Sequence, residues 1–285
     1  MYKALNYWVF GGFEGVKTPF EFIDFAAENA LDGIELTVGD AIKIDITEAE
    51  CRKIAEYAKS KNVGLRTLAT GNYGATSLSA ADEAERRQAI DFTKKYLYIA
   101  SWLGAETILV VPGSTSVAWD PSRPVVPYDV AWKQSTASLN ELIPLAEKLN
   151  VNIALENVWM RFLLSPMEWK FFLDQFPSEK IGMYLDVGNC LIYCDGSDYI
   201  NLLGKRVKAI HVKNFKGSGG LGDLSGFGDD LFVGDADYKR IFSACDKIGY
   251  TGTFTVEMIP FDRLPNLVLP DQALAEKMAR QIKEL

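Results

Sequence analysis

Short apolar runs alternate with longer segments of helical spacing from one end of the chain to the other. Runs of four to eight β-branched and aromatic residues bounded by turn formers predict strands, and apolar positions three and four apart predict helices. The first run, Leu5–Phe10, enters Gly11-Gly12 and reads as strand one. Thr18-Pro19-Phe20-Glu21 then combines an N-cap, a proline at the first helical position and a capping glutamate, predicting a helix to about Ala30. Gly33–Thr37 is strand two, and Thr47-Glu48-Ala49-Glu50 caps a helix to about Lys61. Val63–Ala69 is strand three, followed by a long helix from near Asp82 to Leu103.

The fourth run, Thr107–Pro112, is apolar without interruption, as a parallel strand covered on both faces requires. A loop rich in Pro, Ser and Gly reaches Pro127, and a helix runs from about Asp129 to Leu149. Strand five is Val151–Glu156, and Ser165-Pro166-Met167-Glu168 is a third capping box. Strand six is Ile181–Asp186, and strand seven lies in Val207–Phe215. Tyr238, Ile241, Phe242, Cys245 and Ile248 keep helical spacing, Thr253–Glu257 is strand eight, and a helix from Pro270 to Leu285 closes the chain. Eight strands, each followed by a helix or a helix-length connection, predict an α/β fold with a single (β/α)8 TIM barrel. A doubly wound open sheet is the alternative, but strand one lacks the Gly-x-Gly-x-x-Gly turn. With no linker or low-complexity break, residues 1–285 read as one domain.

Composition narrows the partners. With 48% apolar and 24% charged residues the chain can bury a large core. A net charge of −8 argues against nucleic acid, whose phosphates demand clustered Lys and Arg. No apolar run approaches the roughly 18 residues that a membrane span needs, and the N-terminus lacks signal-peptide character. The four scattered cysteines suit free thiols in a reducing cytoplasm rather than a disulfide or zinc framework.

The chemistry gathers at the ends of the last four strands. Strand five ends at Glu156, strand six at Asp186, strand seven carries His211, and strand eight ends at Glu257. His211 is the only histidine in the chain; alone it reads as a hydrogen-bonded core residue. Beside three carboxylates delivered to the C-terminal face of a barrel, it becomes a ligand candidate. Carboxylates following Ile-Ala-Leu, Met-Tyr-Leu and Phe-Thr-Val would each be costly to bury without a counter-charge. One divalent ion, Mn²⁺, Co²⁺, Mg²⁺ or Zn²⁺, offsets all three. Lys213 and Lys216, beside the glycine-rich segment Gly217 to Gly228, offer a phosphate site that Asp223, Asp229 and Asp230 would dilute. Trp8, Trp119 and Trp159 could stack on a sugar or simply pack the rim.

Ala154-Leu155-Glu156-Asn157-Val158, Leu185-Asp186-Val187-Gly188-Asn189, Ile210-His211-Val212-Lys213 and Val256-Glu257 together resemble the xylose-isomerase-like TIM-barrel superfamily. The nearest likeness is to sugar and sugar-phosphate isomerases and epimerases, the group that includes tagatose 3-epimerase and L-ribulose/L-xylulose 5-phosphate 3-epimerase. It covers essentially the whole chain. The resemblance implies a Glu-Asp-His-Glu metal site at Glu156, Asp186, His211 and Glu257, with Glu156 and Glu257 as an acid/base pair on a ketose or ketose phosphate. It also implies dimers or tetramers. Two departures bear on substrate binding: Asn189 stands where many such epimerases carry a histidine, and the arginine shortly after the strand-seven histidine is replaced by Lys213, Lys216 and Gly217. Asn189 and Lys213 are therefore the expected substrate contacts. The superfamily also holds inosose and dehydroshikimate dehydratases, a plausible alternative chemistry, and non-catalytic sugar binders. Its endonuclease branch needs several histidines and a basic face, which this chain lacks.

Overall fold

The computed structural model describes residues 1–117, 120–217, 226–259 and 271–285. Eight parallel strands close into a barrel in chain order: β1 Tyr2–Asn6, β2 Gly33–Thr37, β3 Gly64–Ala69, β4 Thr107–Val110, β5 Asn152–Glu156, β6 Ile181–Asp186, β7 Val207–Val212 and β8 Thr253–Val256. β1 pairs with β8 through Tyr2↔Thr253 to Leu5↔Val256, which completes the ring. The helices are α1 Tyr7–Gly11, α2 Pro19–Glu28, α3 Glu48–Ser60, α4 Glu83–Leu103, α5 Tyr128–Leu149, α6 Pro166–Leu173, α7 Gly196–Leu203, α8 Tyr238–Ile248 and α9 Gln272–Glu284. All three expected capping boxes form, at Thr18, Thr47 and Ser165.

The first run is where sequence and structure part. Tyr7–Gly11 is helical, and strand one is the earlier Tyr2–Asn6. Asn6 turns the chain: its side chain accepts the Trp8 N–H at 2.8 Å as an N-cap. Tyr7 and Phe10 are buried all the same, with Phe10 stacked on Phe22 at 4.8 Å. Burial alone thus did not distinguish strand from helix there. α7 is a short helix between β6 and β7, where the spacing predicts only a connection. The start expected for the last helix, Pro270, lies outside the described residues.

Core packing divides in two. The larger core lies between strands and helices; a smaller one, Ala69, Leu109, Ala154, Tyr184 and Ala209, fills the barrel. Successive strand side chains alternate between these layers. A residue two positions past an inward one therefore also points inward, one layer nearer the C-terminal mouth. Ala154 is followed at that step by Glu156, Tyr184 by Asp186, and Ala209 by His211. The barrel's own period thus aims three of the four candidate ligands at one point.

Candidate metal centre

Glu156, Asp186, His211 and Glu257 are all buried, and one potential ligand atom from each lies within 4.8 Å of the others. His211 Nδ1 is 3.0 Å from Glu156 Oε1 and 3.8 Å from Glu257 Oε1. The fourth side chain is held firmly. Asp186 Oδ1 accepts the N–H groups of Gly188 and Asn189, both at 2.9 Å, which turns Oδ2 toward the cluster. Asn157 clamps the same strand end, accepting the Asp186 N–H and donating its amide to the Asp186 carbonyl. The Glu-Asn and Asp-Val-Gly-Asn sequences are thus one interlocked unit.

Two further residues complete the centre: Glu35, for which the sequence pattern predicts no role, and Lys213, expected as a substrate contact. Glu35, inside β2, is fully buried, and its Oε1 accepts His211 Nε2–H at 2.7 Å and the Asn6 amide at 2.7 Å. Its Oε2 accepts the Tyr184 hydroxyl. A carboxylate behind an imidazole keeps a proton on Nε2, so the proton that a metal would displace is the one on Nδ1, which faces the cluster. The available signal was a glutamate in the apolar run Gly33-Ile34-Glu35-Leu36, costly there without a partner.

Lys213 is the second. Only 3% exposed, its Nζ lies 2.5 Å from Glu257 Oε2 and 2.9 Å from Asp186 Oδ2. The approach to Asp186 Oδ2 is too poorly angled for a hydrogen bond, and that oxygen remains a buried acceptor without one. Gly188 is needed for this arrangement, because a Cβ there would meet Lys213 Cγ at 2.5 Å.

Burial and like charge dominate the electrostatics. Burial first, then the neighbouring Glu257, push the Glu156 carboxyl up to about 7 despite its bond to His211. For His211 burial favours the neutral ring, but the carboxylates of Glu35, Glu257 and Glu156 outweigh it and hold the imidazolium well above the ordinary histidine range. Burial likewise opposes the Lys213 charge, and Asp186 and Glu257 outweigh it. Four buried acids facing two cations, with one carboxylate oxygen lacking a hydrogen bond, form a donor set that a divalent ion fits: three carboxylates and one imidazole nitrogen.

Above the centre opens a cavity of about 400 Å³. Glu156, Glu257, Lys213 and Asn189 form its floor side, and Trp8, Phe13, Tyr73, Trp159 and Phe227 supply aromatic walls. Of the expected substrate contacts, Asn189 reaches the cavity but spends its amide on the Asn157 carbonyl at 2.9 Å. Lys213 reaches it with its ammonium committed to two carboxylates. Lys216 is exposed and does not line the cavity. Most of the Gly217 to Gly228 segment, Asp223 and Trp119 lie outside the described residues. No described helix is long and apolar enough to cross a membrane.

Comparison with known proteins returns one consistent architecture. Residues 23–285 match the family described as the xylose isomerase-like TIM barrel. SgbU of Escherichia coli (strain K12), provisionally named an L-ribulose-5-phosphate 3-epimerase, is 24% identical over 248 residues, covering 84% of this chain and 82% of that protein. The inosose dehydratase of Geobacillus thermodenitrificans (strain NG80-2) is 23% identical over 217 residues, 69% of this chain and 71% of its own. Among solved structures, D-psicose 3-epimerase crystallised in the presence of D-fructose superposes with a TM-score of 0.80 at 20% identity, over 100% of this chain and 97% of that one.

Proposed function

The chain belongs to the xylose isomerase-like TIM-barrel family, and on that footing we propose that it is an epimerase or isomerase of a ketose or ketose phosphate. The observation that carries this reading is the pair of buried glutamates, Glu156 and Glu257, facing one cavity across a four-donor cluster. The names of the relatives, a pentulose-phosphate 3-epimerase and a hexulose 3-epimerase, point the same way.

Removing a proton from the carbon beside a ketone needs a base on one face and stabilisation of the enediolate that forms. A divalent ion, when bound by Glu156, Asp186, His211 and Glu257, supplies Lewis-acid stabilisation of that negative charge. Each glutamate has two oxygens, so one can serve as a ligand while the other moves a proton. One of the two takes the proton and the other returns one from the opposite face, which inverts the centre. Burial and the neighbouring Glu257 raise the Glu156 carboxyl to about 7 in the metal-free protein, and a bound cation would lower it, favouring the carboxylate that takes a proton. Asp186, locked by two backbone N–H groups, holds position without entering the proton traffic. The aromatic walls offer flat apolar surfaces to the C–H face of a sugar.

The likeness to inosose dehydratase favours one second reading, in which the same enediolate expels a β-hydroxyl instead of regaining a proton. One experiment separates the outcomes. A panel of ketoses and ketose phosphates is incubated with the metal-loaded protein in D₂O, the metal is removed with a chelator, and proton NMR is recorded. Deuterium at C3 identifies an epimerase, at C1 or C2 an isomerase, and loss of water a dehydratase. Glu257→Gln should stop exchange while metal stays bound. Full turnover in that variant would refute the two-glutamate mechanism, and no exchange with any member of the panel would refute the reading as a whole.

A further inference from the structure

Asp40 lies three residues beyond the end of β2. In an eight-stranded ring that loop stands across the mouth from the β6 end that carries Asp186. Its carboxylate lines the same cavity as Glu156 and Glu257. It is also held in place: Trp8 Nε1 donates to Asp40 Oδ2 at 2.7 Å, and the Thr37 hydroxyl supports it from the strand. Trp8 in turn packs against Phe13 and on the inner barrel residues. Asp40 is therefore a fixed feature of the wall.

The rest of that wall gives Asp40 its meaning. Among the described residues that line the cavity, Lys213 is the one cation, and it sits at the metal end with two carboxylates already against its ammonium. Asp40 is the one carboxylate among them outside the four-donor cluster. Trp8, Phe13, Tyr73 and Ile259 line the same cavity, with Thr70 the neutral polar side chain beside them. A sugar offers such a wall two things: a C–H face for the rings and hydroxyls for a lone acceptor that fixes orientation. A phosphate ester extending away from the metal end would instead bring two negative charges beside a third, with no cation among the described lining residues there to offset them.

We infer that Asp40 is the residue that sets substrate choice, accepting a hydroxyl from the far end of an uncharged ketose and turning away the phosphorylated counterpart. This rests on the ketose chemistry proposed above and narrows its substrate class. Specificity here is a difference between two affinities, and a fixed like charge is the cheapest way to enlarge it. Asp40 acts on the substrate end remote from the reacting carbon, so its removal should move KM more than kcat.

The test uses matched pairs, D-ribulose with D-ribulose 5-phosphate and D-fructose with D-fructose 6-phosphate, followed by deuterium exchange in metal-loaded wild type, Asp40→Asn and Asp40→Lys. In any pair that reacts, wild type should favour the free sugar by about 100-fold in kcat/KM, the size that a like charge at close range produces. Asp40→Asn should narrow that ratio by about 10-fold, chiefly through a lower KM for the phosphorylated member, and Asp40→Lys should narrow it further. A wild-type preference for the phosphorylated member overturns the inference while leaving the enediolate chemistry standing, and this arm needs no variant to fold. A ratio that Asp40→Asn leaves within about 3-fold of wild type also overturns it. Where another ketose of the wider panel reacts instead, its free and phosphorylated forms make the matched pair; exchange with no ketose, free or phosphorylated, overturns the ketose assignment and this inference with it.

Discussion

Replacing Glu35 by glutamine isolates the charge behind the sole imidazole of the centre. Glu35 Oε1 takes two hydrogen bonds, from His211 Nε2 and Asn6 Nδ2, and Oε2 takes the Tyr184 hydroxyl. In Glu35→Gln the amide oxygen can keep the first two, and the amide N–H₂ can face Tyr184 once that hydroxyl turns from donor to acceptor. Shape and bonding survive, and a full negative charge is lost. A carboxylate partner of this kind is worth about 10–100-fold in metal affinity, or about 1.4–2.7 kcal/mol. The size of the loss depends on pH in a definite direction. In the metal-free protein burial favours the neutral ring, yet Glu35, Glu257 and Glu156 keep His211 protonated well above the ordinary range. A metal must displace that proton, and removing the Glu35 charge lets it leave more easily. The gain offsets part of the loss wherever the wild-type ring is charged and vanishes once pH rises above that range. The affinity penalty should therefore be small at about pH 6 and reach its full size only in alkaline solution. Competition against a chelating dye for Zn²⁺ or Mn²⁺, run across that range, measures it. An unchanged affinity throughout, or a penalty that grows toward acid, would refute the assignment of Glu35 as the group that orients and charges His211.

Three further outcomes follow from the same geometry. His211→Ala should abolish stoichiometric metal binding while circular dichroism still reports a folded barrel, because the chain has no other histidine to substitute; retained metal would return His211 to the core. Lys213→Met leaves the Asp186 and Glu257 carboxylates without their buried cation. The metal-free variant should lose about 3–5 kcal/mol of stability, and saturating metal should restore most of it. Thermal melts with and without metal check this, and a metal-free variant as stable as wild type would contradict it. Metal binding should also release protons: one from His211, and a second from Glu156 as pH falls through about 7. Because protons and metal compete, affinity rises with pH, more steeply below about 7 than above it. Calorimetry in buffers of different ionisation heat would show the release, and a pH-independent affinity would count against the donor set.

Local signals carried the barrel and its four candidate ligands. Alternation, capping boxes and turn residues act over a few positions, so Thr18, Thr47 and Ser165 could be read as helix starts, and Glu156, Asp186, His211 and Glu257 as strand-end residues, from their neighbours alone. The family likeness in the same four stretches is borne out by the match over residues 23–285. The Tyr7–Gly11 segment escaped because its aromatic residues bury equally well as strand or helix, and the Asn6 cap that decides between them is a single side chain.

Pairing across the barrel was beyond such signals. Glu35 is 176 residues from His211 and 149 from Tyr184, and nothing in Gly33-Ile34-Glu35-Leu36 names either partner. Lys213, legible in the chain as a free cation beside a glycine-rich loop, became an internal counter-charge once β6 and β8 closed around it. By itself the sequence determined which residues face inward and at which end, because the backbone period does that strand by strand. Tertiary structure alone decided which charges meet: a buried charge is tolerated only with its partner in place, and strand closure sets that partner's distance.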